Sequence, residues 1–390
     1  MDMKSYGEAI ERFTRRFDRR PDLLVTSPGR VNLIGAHADY NQGFVLPIAI
    51  DRSILFLSRR REEKFLHVHS TGLGSSGQMP IDGDEKAVGW LRYPAGVLRA
   101  LWDRGYAIGG VDLLIDGDLP MAAGLGSSAA LEVGFLYSLN ELFGLDLPKT
   151  EMIAACHRVE NEFVGMRCGV MDQFMSAMGR AGNALFLDCR DMSYEYIGFD
   201  EEKLAFLLFD SGVKRELVRS GYNTRRQECT DAVSRILVLR PDVRALRDLS
   251  PDDLPWLGTI LTERLLRRSR HVITEIHRVT QAKEALQSGD LARLGELVAT
   301  SHISLRDDFE VSCTELDQLF NSAIEVEGVY GARLTGAGFG GNLLVLCRPE
   351  AVQEIIQHVS AAFCDRFGRS SESILCRSAD GVSGELISDR

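Results

Sequence analysis

Short apolar runs dominate the first half of the chain and predict β-strands. Val111, Leu113 and Ile115 recur at every second position, the period of a strand with one buried face. Residues 1–17 differ, because their apolar positions lie three and four apart and predict an amphipathic helix. The predicted strands are VNLIG at 31–35, ILFLS at 54–58, FLHVHS at 65–70 and VDLLID at 111–116.

The second half begins with one further predicted strand, LAFLLF at Leu204–Phe209. A long helical stretch rich in Arg and Glu follows it and extends to about Ala299. No linker rich in Pro, Gly or Ser marks a junction, so we place the boundary near residue 203. The pattern predicts an α+β architecture of two lobes, residues 1–203 and 204–390.

Composition restricts the partners. The 390 residues are 45% hydrophobic, enough for substantial cores, and the net charge of -11 argues against nucleic acid or an anionic membrane as a partner. The eight cysteines have no CxxC or metal-site spacing, which favours reduced thiols. No stretch resembles a signal peptide or a membrane span. We therefore expect a cytoplasmic protein and a monomer.

Gly29–Pro47, GRVNLIGAHADYNQGFVLP, is the segment richest in chemical groups. Turn chemistry explains its Gly, Asn and Asp residues, but it does not explain an Arg, a His and a Tyr within a dozen positions. Loops held on rigid scaffolds often carry binding and catalytic groups. The sequence therefore predicts a functional loop that contains Arg30, Asn32, His37, Asp39, Tyr40 and Asn41.

Leu119–Glu132, LPMAAGLGSSAALE, is a candidate phosphate-binding loop that leads into a helix. Ser127 and Ser128 fall in the first turn, where free backbone N–H groups attract anions, and Gly124 and Gly126 permit close backbone approach. The loop has no P-loop Lys. A helix N-cap with a small-residue packing face is the alternative.

A second glycine-rich segment, TGAGFGGN at Thr335–Asn342, contains GxGxxG at Gly336, Gly338 and Gly341. In a dinucleotide-binding fold this motif follows a strand and opens a helix. Here it leads into the apolar run NLLVLC, so a hairpin-like loop fits better than a nicotinamide oxidoreductase.

Two carboxylates complete the candidate site. Asp172 lies among the apolar residues of CGVMDQF, and a buried charge of this kind needs a cation, for which Arg30 is the candidate. Glu160 lies beside the apolar stripe of the preceding helix. A solvated helix face explains Glu160 equally well.

Together these segments resemble the GHMP kinase superfamily, and Gly29–Pro47 resembles its galactokinase branch, whose usual form is GRVNLIGEHTDYNxGxVLP. Further similar segments occur in the same order over nearly the whole chain. They are SGVKRELVRSGYNTRRQEC at 211–229, SHISLRDDFEVSCTELD at 301–317 and VYGARLTGAGFGGN at 329–342.

The resemblance implies a ribosomal-protein-S5-like N-terminal lobe, a ferredoxin-like C-terminal lobe and an active site between them. It also implies ATP-dependent phosphorylation of the anomeric C1 hydroxyl of a galactose-type sugar. By motif position, Asp172 matches the catalytic carboxylate and Arg30 the residue that stabilises the phosphoryl group, while Ser128 and Glu160 match Mg²⁺ ligands.

The remaining implied contacts divide between nucleotide and sugar. The expected ATP-binding residues are Gly124, Leu125, Gly126, Ser127, Ser128 and Gly338. The expected sugar-binding residues are Ala36, His37, Asp39, Gly169 and Tyr222.

Ala36 is the departure that matters, because the family pattern has Glu there and that Glu binds the C6 hydroxyl of the sugar. A lost hydrogen bond to a charged group is worth about 1.5–3 kcal/mol. The missing Glu also removes a repulsion of about 4 kcal/mol against a C6 carboxylate at 4 Å and an effective dielectric of 20. Galacturonate and arabinose therefore join galactose as candidate substrates, although the sequence identifies no Arg or Lys that would hold a carboxylate.

A sugar sensor without catalytic activity is the alternative from another class, since proteins that resemble galactokinases can act as ligand-responsive binding partners. The phosphate loop GLGSSAA and Asp172 are both intact here. These groups favour the enzyme.

Overall fold

The computed structural model describes residues 3–83, 86–121, 123–213 and 218–387. Predicted segments that include residue 122 or residues 214–217 therefore lie partly outside the described residues. The helices are α1 Met3–Phe17, α2 Arg92–Trp102, α3 Ser127–Phe143, α4 Lys149–Arg158, α5 Met171–Met178, α6 Val218–Leu239, α7 Leu254–Ile260, α8 Glu263–Ser288, α9 Leu291–Asp307, α10 Thr314–Ile324 and α11 Val352–Phe367. The strands are β1 Leu23–Ile34, β2 Phe44–Arg61, β3 Phe65–Ser70, β4 Ser75–Pro80, β5 Gly110–Gly117, β6 Asn183–Asp188, β7 Tyr194–Gly198, β8 Ala205–Asp210, β9 Val329–Thr335, β10 Asn342–Cys347, β11 Ser373–Cys376 and β12 Ser383–Leu386.

The first sheet has the strand order β12, β1, β2, β5, β3, β4, and β6 extends it from β2 with β7 alongside. Strands β3 and β5 run parallel, whereas β1 and β2 are antiparallel. The ladder between β1 and β2 shifts register between Pro28 and Arg30 and again between Asn32 and Ile34. Such irregularities redirect side chains. They occur where β1 carries Arg30 and Asn32 of the predicted functional loop.

Gly29 lies at the first of these shifts and explains how the strand meets the phosphate loop. A Cβ on Gly29 would come within 2.8 Å of the Leu125 carbonyl oxygen, closer than real Cβ atoms approach. The backbone N–H of Arg30 donates to that same carbonyl at 2.9 Å. The two predicted functional segments therefore touch through their backbones.

The second sheet is antiparallel, in the order β11, β8, β10, β9. The glycine-rich segment after β9 joins it to β10, with Thr335 opposite Asn342. The hairpin-like loop expected from the sequence is therefore confirmed, and the segment opens no helix. The Asn342 side-chain amide donates to the Ala123 carbonyl at 2.7 Å, which ties this hairpin to the phosphate loop.

The two sheets share one continuous core. Val31 and Phe56 of the first sheet belong to the same buried apolar cluster as Leu208 and Leu344 of the second. Helix α8 packs on both β1 and β2, and so brings residues near position 275 against the functional loop. The α+β architecture expected from the apolar pattern is confirmed.

The end of the described chain returns to the first sheet. Strand β12 pairs with β1, with Leu386 opposite Leu23, and Ile50 forms an isolated bridge with Ser378. The division at residue 203 stays a prediction, because this return mixes the two halves. Among the described residues, no helix combines the length and the apolar character that a membrane span needs.

Candidate functional site

A cavity of about 410 Å³ lies where the functional loop, the phosphate loop and the β9–β10 hairpin meet. Its size is typical of small-molecule sites. The described residues that line it are Arg30, Asn32, Gly35, Ala36, His37, Asp39, Tyr93, Gly124, Gly126, Ser127, Ser128, Glu160, Val164, Met166, Cys168, Met171, Asp172, Tyr222, Arg333, Gly336 and Ala337.

Arg30 and Asp172 form a bidentate ion pair on the wall of this cavity. Arg30 Nε donates to Asp172 Oδ1 at 2.8 Å and Nη2 donates to Oδ2 at 2.5 Å, while Nη1 donates to the Gly124 carbonyl at 2.5 Å. The Asp172 side chain keeps 24% of its surface exposed, against 7% for Arg30. The arginine is therefore fixed in place, and the carboxylate still faces the cavity.

The phosphate loop runs into helix α3 as the sequence predicts, with Ser127 as the first helical residue. Gly126 precedes it with a φ of 75°, a left-handed conformation that suits glycine. Helix α3 has 17 residues, and no side chain caps its N-terminus. The free N–H groups and the positive dipole end therefore face the cavity and can receive an anion.

Glu160 is buried, which excludes the solvated helix face. It lies in a π-helical turn, Val159–Val164, that follows α4, and it is 5% exposed. Gln173 Nε2 donates to Glu160 Oε2 at 2.5 Å, and Ser128 hydrogen-bonds the same carboxyl group. Burial, with a smaller contribution from the charge of Asp172, raises the pKa of Glu160.

A second buried carboxyl group lies behind Glu160. Glu132 of α3 is fully buried, and desolvation together with the charge of Glu160 raises its pKa well above the usual range. Among the described residues, no cluster of three His, Cys, Asp or Glu side chains could hold a metal. The Ser128 hydroxyl and the Glu160 carboxylate do provide two hard oxygen donors beside the anion site, the ligand type that Mg²⁺ prefers.

His37 lines the cavity within an aromatic cluster. Its ring is 4.6 Å from the Phe309 ring and 5.6 Å from the Tyr222 ring, centre to centre. His37 Nδ1 bonds the Tyr40 hydroxyl at 3.0 Å, and within the described residues Nε2 has no partner. Burial lowers the pKa of His37 well below the usual value. A neutral imidazole with one unused nitrogen can bind a sugar hydroxyl.

Asp39 lines the cavity near Asp172. Burial and the charge of Asp172 raise the pKa of Asp39 to about 6, against the lowering contributions of Arg30 and Arg226. Gly169 packs directly on the Asp39 side chain, and a Cβ at position 169 would overlap the carboxylate. Gly169 therefore provides the space in which Asp39 can face the cavity.

Glu275 of α8 anchors the backbone of the functional loop and escapes sequence reasoning. Its Oε1 atom accepts from the N–H groups of Gly35 at 2.9 Å and Ala36 at 3.1 Å, and from the Ser301 hydroxyl at 2.6 Å. Arg333 Nη1 lies 3.6 Å from the same oxygen. The neighbouring cations, first among them Arg278, lower the pKa of Glu275 to about 2 despite its burial.

Three family models match the chain. The galactokinase galactose-binding signature covers residues 11–60, the GHMP kinases N terminal domain covers 92–180 and the GHMP kinases C terminal domain covers 282–365. A galactokinase of Roseiflexus sp. (strain RS-1) is 42% identical over 381 residues, 97% of this chain and 97% of that protein. A galactokinase of Thermotoga neapolitana is 42% identical over 360 residues, 92% of this chain and 99% of that protein.

This chain belongs to the galactokinase family.

Solved structures agree with this family membership. The crystal structure of Lactococcus lactis galactokinase complexed with galactose matches with a TM-score of 0.93 and 33% identity, over 97% of this chain and 99% of that one. A mevalonate kinase structure matches with a TM-score of 0.64 and 17% identity, over 92% and 99%, and shows the shared fold alone. The galactokinase-family assignment, the GHMP kinase fold and the sugar-kinase class expected from the sequence are confirmed.

Most residues that the galactokinase pattern selects come together in the cavity, but three do not line it. Leu125 is fully buried, and its carbonyl accepts from the backbone N–H of Arg30. Gly169 lies behind Asp39, and Gly338 packs against Val311 in the hairpin while its neighbours Gly336 and Ala337 line the cavity. The second glycine-rich loop therefore approaches the site through residues other than the predicted one.

Sequence reasoning missed several residues that line the cavity. Arg333 is the most significant, since it is fully buried and charged and lies two residues before the glycine-rich segment. An Arg within an apolar strand was the available signal. Asn32 was noted only as part of the functional loop, and Tyr93 and Met166 have no sequence feature that marks them.

Proposed function

We propose that this protein catalyses transfer of the γ-phosphoryl group of ATP to the anomeric C1 hydroxyl of galactose, giving galactose 1-phosphate and ADP. The bidentate pair of Arg30 and Asp172 beside the α3 N-terminus carries the proposal. This arrangement places three groups in one cavity. They are a carboxylate that can accept a hydrogen bond from a hydroxyl group, a cation that is held in place, and a helix N-terminus that can bind an anion. Membership of the galactokinase family supports the choice of sugar.

In the proposed reaction the sugar O1 attacks the γ-phosphorus as the bond to the bridging oxygen of ADP breaks. A carboxylate is a weak base towards a sugar hydroxyl, so Asp172 aligns O1 and accepts its proton late in the step. The transition state of phosphoryl transfer is loose, so positioning and charge neutralisation dominate. Arg30, held by Asp172 and Gly124, supplies the fixed positive charge.

The N-terminus of α3 would bind the nucleotide phosphates. The N–H groups after Gly126 and the Ser127 hydroxyl would receive the phosphate oxygens. Ser128 and Glu160 would hold Mg²⁺, whose charge offsets that of the phosphates when it is bound. A buried carboxylate whose pKa is raised fits this role, because a nearby cation would stabilise its charged form.

The sugar would lie between Asp172 and the aromatic cluster. Asp39 is suited to accept hydrogen bonds from vicinal hydroxyls, and the free Nε2 of His37 is suited to a further one. An epimer would leave a buried acceptor such as Asp39 unpaired, which penalises the wrong configuration. Tyr222 would complete this subsite. The cytoplasmic location and the monomeric state stay predictions.

The test is ADP release by the purified protein with ATP, Mg²⁺ and galactose. We expect Asp172→Asn to lower kcat at least a hundred-fold, in the range of general acid–base residues. Asp112→Asn is the matched control, since Asp112 is buried and paired with Arg61 outside the cavity. It should keep kcat within a few-fold of the native value.

Galactose binding without ADP release by the native protein would contradict the proposed reaction and favour the sensor. Equal loss of activity in the two variants would contradict the role of Asp172.

A further inference from the structure

A fully buried arginine with an unused donor lies on the wall of the cavity. Arg333 on β9 is fully buried and lines the cavity. Its Nε donates to the Leu334 carbonyl at 2.9 Å and Nη1 to the Leu33 carbonyl at 3.4 Å. Nη2 has no acceptor anywhere in the described parts of the chain. Buried guanidinium groups are normally paired, so the unused donor calls for an explanation.

The nearby carboxylate does not balance this arginine. Glu275 Oε1 already accepts from two backbone N–H groups and from Ser301, and its Oε2 accepts from Arg278 Nε at 2.8 Å. Burial also lowers the pKa of His271 to about 4, so that imidazole is neutral at pH 7. Two buried arginines, Arg278 and Arg333, therefore share the single negative charge of Glu275. This wall of the cavity retains positive charge.

The positive wall is the one that contains Ala36. The Glu275 carboxylate accepts from the Ala36 backbone N–H and lies beside Arg333, so it joins these two lining residues although it does not itself line the cavity. Arg333 acts electrostatically on His37, whereas Asp39 responds to Asp172, Arg30 and Arg226. Asp39 and Asp172 therefore act on each other, whereas among the described residues the ion-pair partner of Arg333 is Glu275, and Arg30 acts on Arg333 as a second nearby cation.

The Ala36 side chain leaves this positive wall open. Compared with Glu, Ala lacks four heavy atoms and a negative charge, and the Ala36 residue is buried, with 5% of its surface exposed. A Glu at this position would present a carboxylate to the same space as Arg333. The chain instead offers that space, and the unused donor, to an anion that enters from the cavity.

We infer that this wall is a subsite for the C6 carboxylate of a galacto-configured sugar acid, held by Arg333 Nη2. The inference rests on the proposed function, which fixes O1 at Asp172. Oxidation of C6 to a carboxylate is the change that gives a galacto-configured sugar a negative charge while every ring hydroxyl stays in place. Galacturonate is therefore a substrate of this enzyme, and its carboxylate meets a wall where the two arginines outnumber the carboxylate of Glu275.

The first experiment compares galacturonate, its uncharged methyl ester, galactose and arabinose as substrates with ATP and Mg²⁺. We expect kcat/KM for galacturonate to equal or exceed that for galactose and to be about a hundred-fold above that for the methyl ester. Values for galacturonate no higher than those for the ester or for arabinose would overturn the inference.

Two variants of the same size separate charge from bulk. Ala36→Glu should lower kcat/KM for galacturonate at least a hundred-fold, because its carboxylate competes for Arg333 and repels the substrate. Ala36→Gln fills the same space without charge and should lower it less than ten-fold. Equal effects of Glu and Gln on galacturonate would contradict a charge-based subsite.

Binding without ATP keeps the inference separate from catalysis. Galacturonate should raise the melting temperature of the native protein more than its methyl ester does, and Arg333→Lys should reduce this difference. Phosphorylation of galactose with no response to galacturonate would overturn the inference and leave the proposed function intact. If no sugar were phosphorylated but galacturonate still stabilised the protein selectively, the subsite would stand and the proposed function would fail.

Discussion

Arg30 and Arg333 line the same cavity, but their surroundings differ. The guanidinium of Arg30 donates hydrogen bonds to Asp172 and to the Gly124 carbonyl, so that Nε and both terminal nitrogens are paired. Arg333 holds two backbone carbonyls and leaves Nη2 without an acceptor among the described residues. An arginine whose nitrogens are all paired is fixed in position, whereas an arginine with an unpaired nitrogen can donate a further hydrogen bond to a ligand.

This difference suggests a division of work. Arg30 is positioned before any ligand arrives, as a group that stabilises a transition state should be. Nη2 of Arg333 gains a partner only when an acceptor enters the cavity, so the contribution of this nitrogen belongs to binding and specificity. The predictions below test this division.

The largest expected effect comes from the same substitution at both arginines. Arg30→Lys should lower kcat by about a thousand-fold, because lysine cannot reproduce a bidentate contact to Asp172. Arg333→Lys should act mainly on KM for the sugar and keep kcat within about ten-fold. Steady-state kinetics with saturating ATP and Mg²⁺ measures both. Equal losses of kcat would remove the distinction between the two arginines.

Glu275→Gln should destabilise the fold by about 3 kcal/mol, because it leaves Arg278 and Arg333 buried without a counter-charge. The lowered pKa of Glu275, about 2, gives the pH dependence. This stabilisation is complete above the unfolded-state pKa of about 4.5 and is lost as the pH falls through about 2. Urea unfolding at pH 7 measures the difference.

Ser301→Ala is the control for Glu275, since it removes one hydrogen bond to the same carboxylate and keeps the charge. It should cost about 1 kcal/mol. If Glu275→Gln lowered the free energy of unfolding by less than Ser301→Ala does, Arg333 would not depend on this carboxylate.

Glu160→Gln should raise the Mg²⁺ concentration needed for half-maximal activity about ten- to a hundred-fold, because a charged oxygen ligand is lost beside the phosphate site. Glu132→Gln is the control. Glu132 is buried, and desolvation raises its pKa well above the usual range, which favours the uncharged form that an amide resembles. Initial rates measured over a range of Mg²⁺ concentrations compare the two variants. Equal increases in the Mg²⁺ concentration for half-maximal activity would contradict the assignment of Glu160.

The smallest expected effect is the acid limb of the pH profile. Because the pKa of Asp39 is about 6, this acceptor becomes protonated below that pH. The kcat/KM for the sugar should therefore fall about ten-fold per pH unit below pH 6. Asp39→Asn should be slower at every pH and lack this limb. A native profile that stays level down to pH 5 would contradict Asp39 as a charged acceptor.

Local patterns were sufficient for much of the site. The phosphate loop and the first turn of α3 were predicted because a run of small residues followed directly by a helical pattern indicates a helix N-terminus that can bind an anion. The ion pair of Asp172 and Arg30 followed from the cost of burying a carboxylate alone. Glu160 stayed ambiguous in the sequence, because a π-helical turn after α4 decides which way its side chain points.

The sequence by itself determined the galactokinase family, the α+β class and the phosphate loop, and it singled out Asp172 and Arg30, because each of these was recognised from a local pattern of residues. It also marked Ala36 as unusual. Only the tertiary structure decided what surrounds Ala36, because its backbone N–H donates to Glu275 of α8, 239 residues away, and Arg333 of β9 lies beside that carboxylate. Charge balance in a buried wall is a property of contacts between distant segments, and no local pattern encodes it.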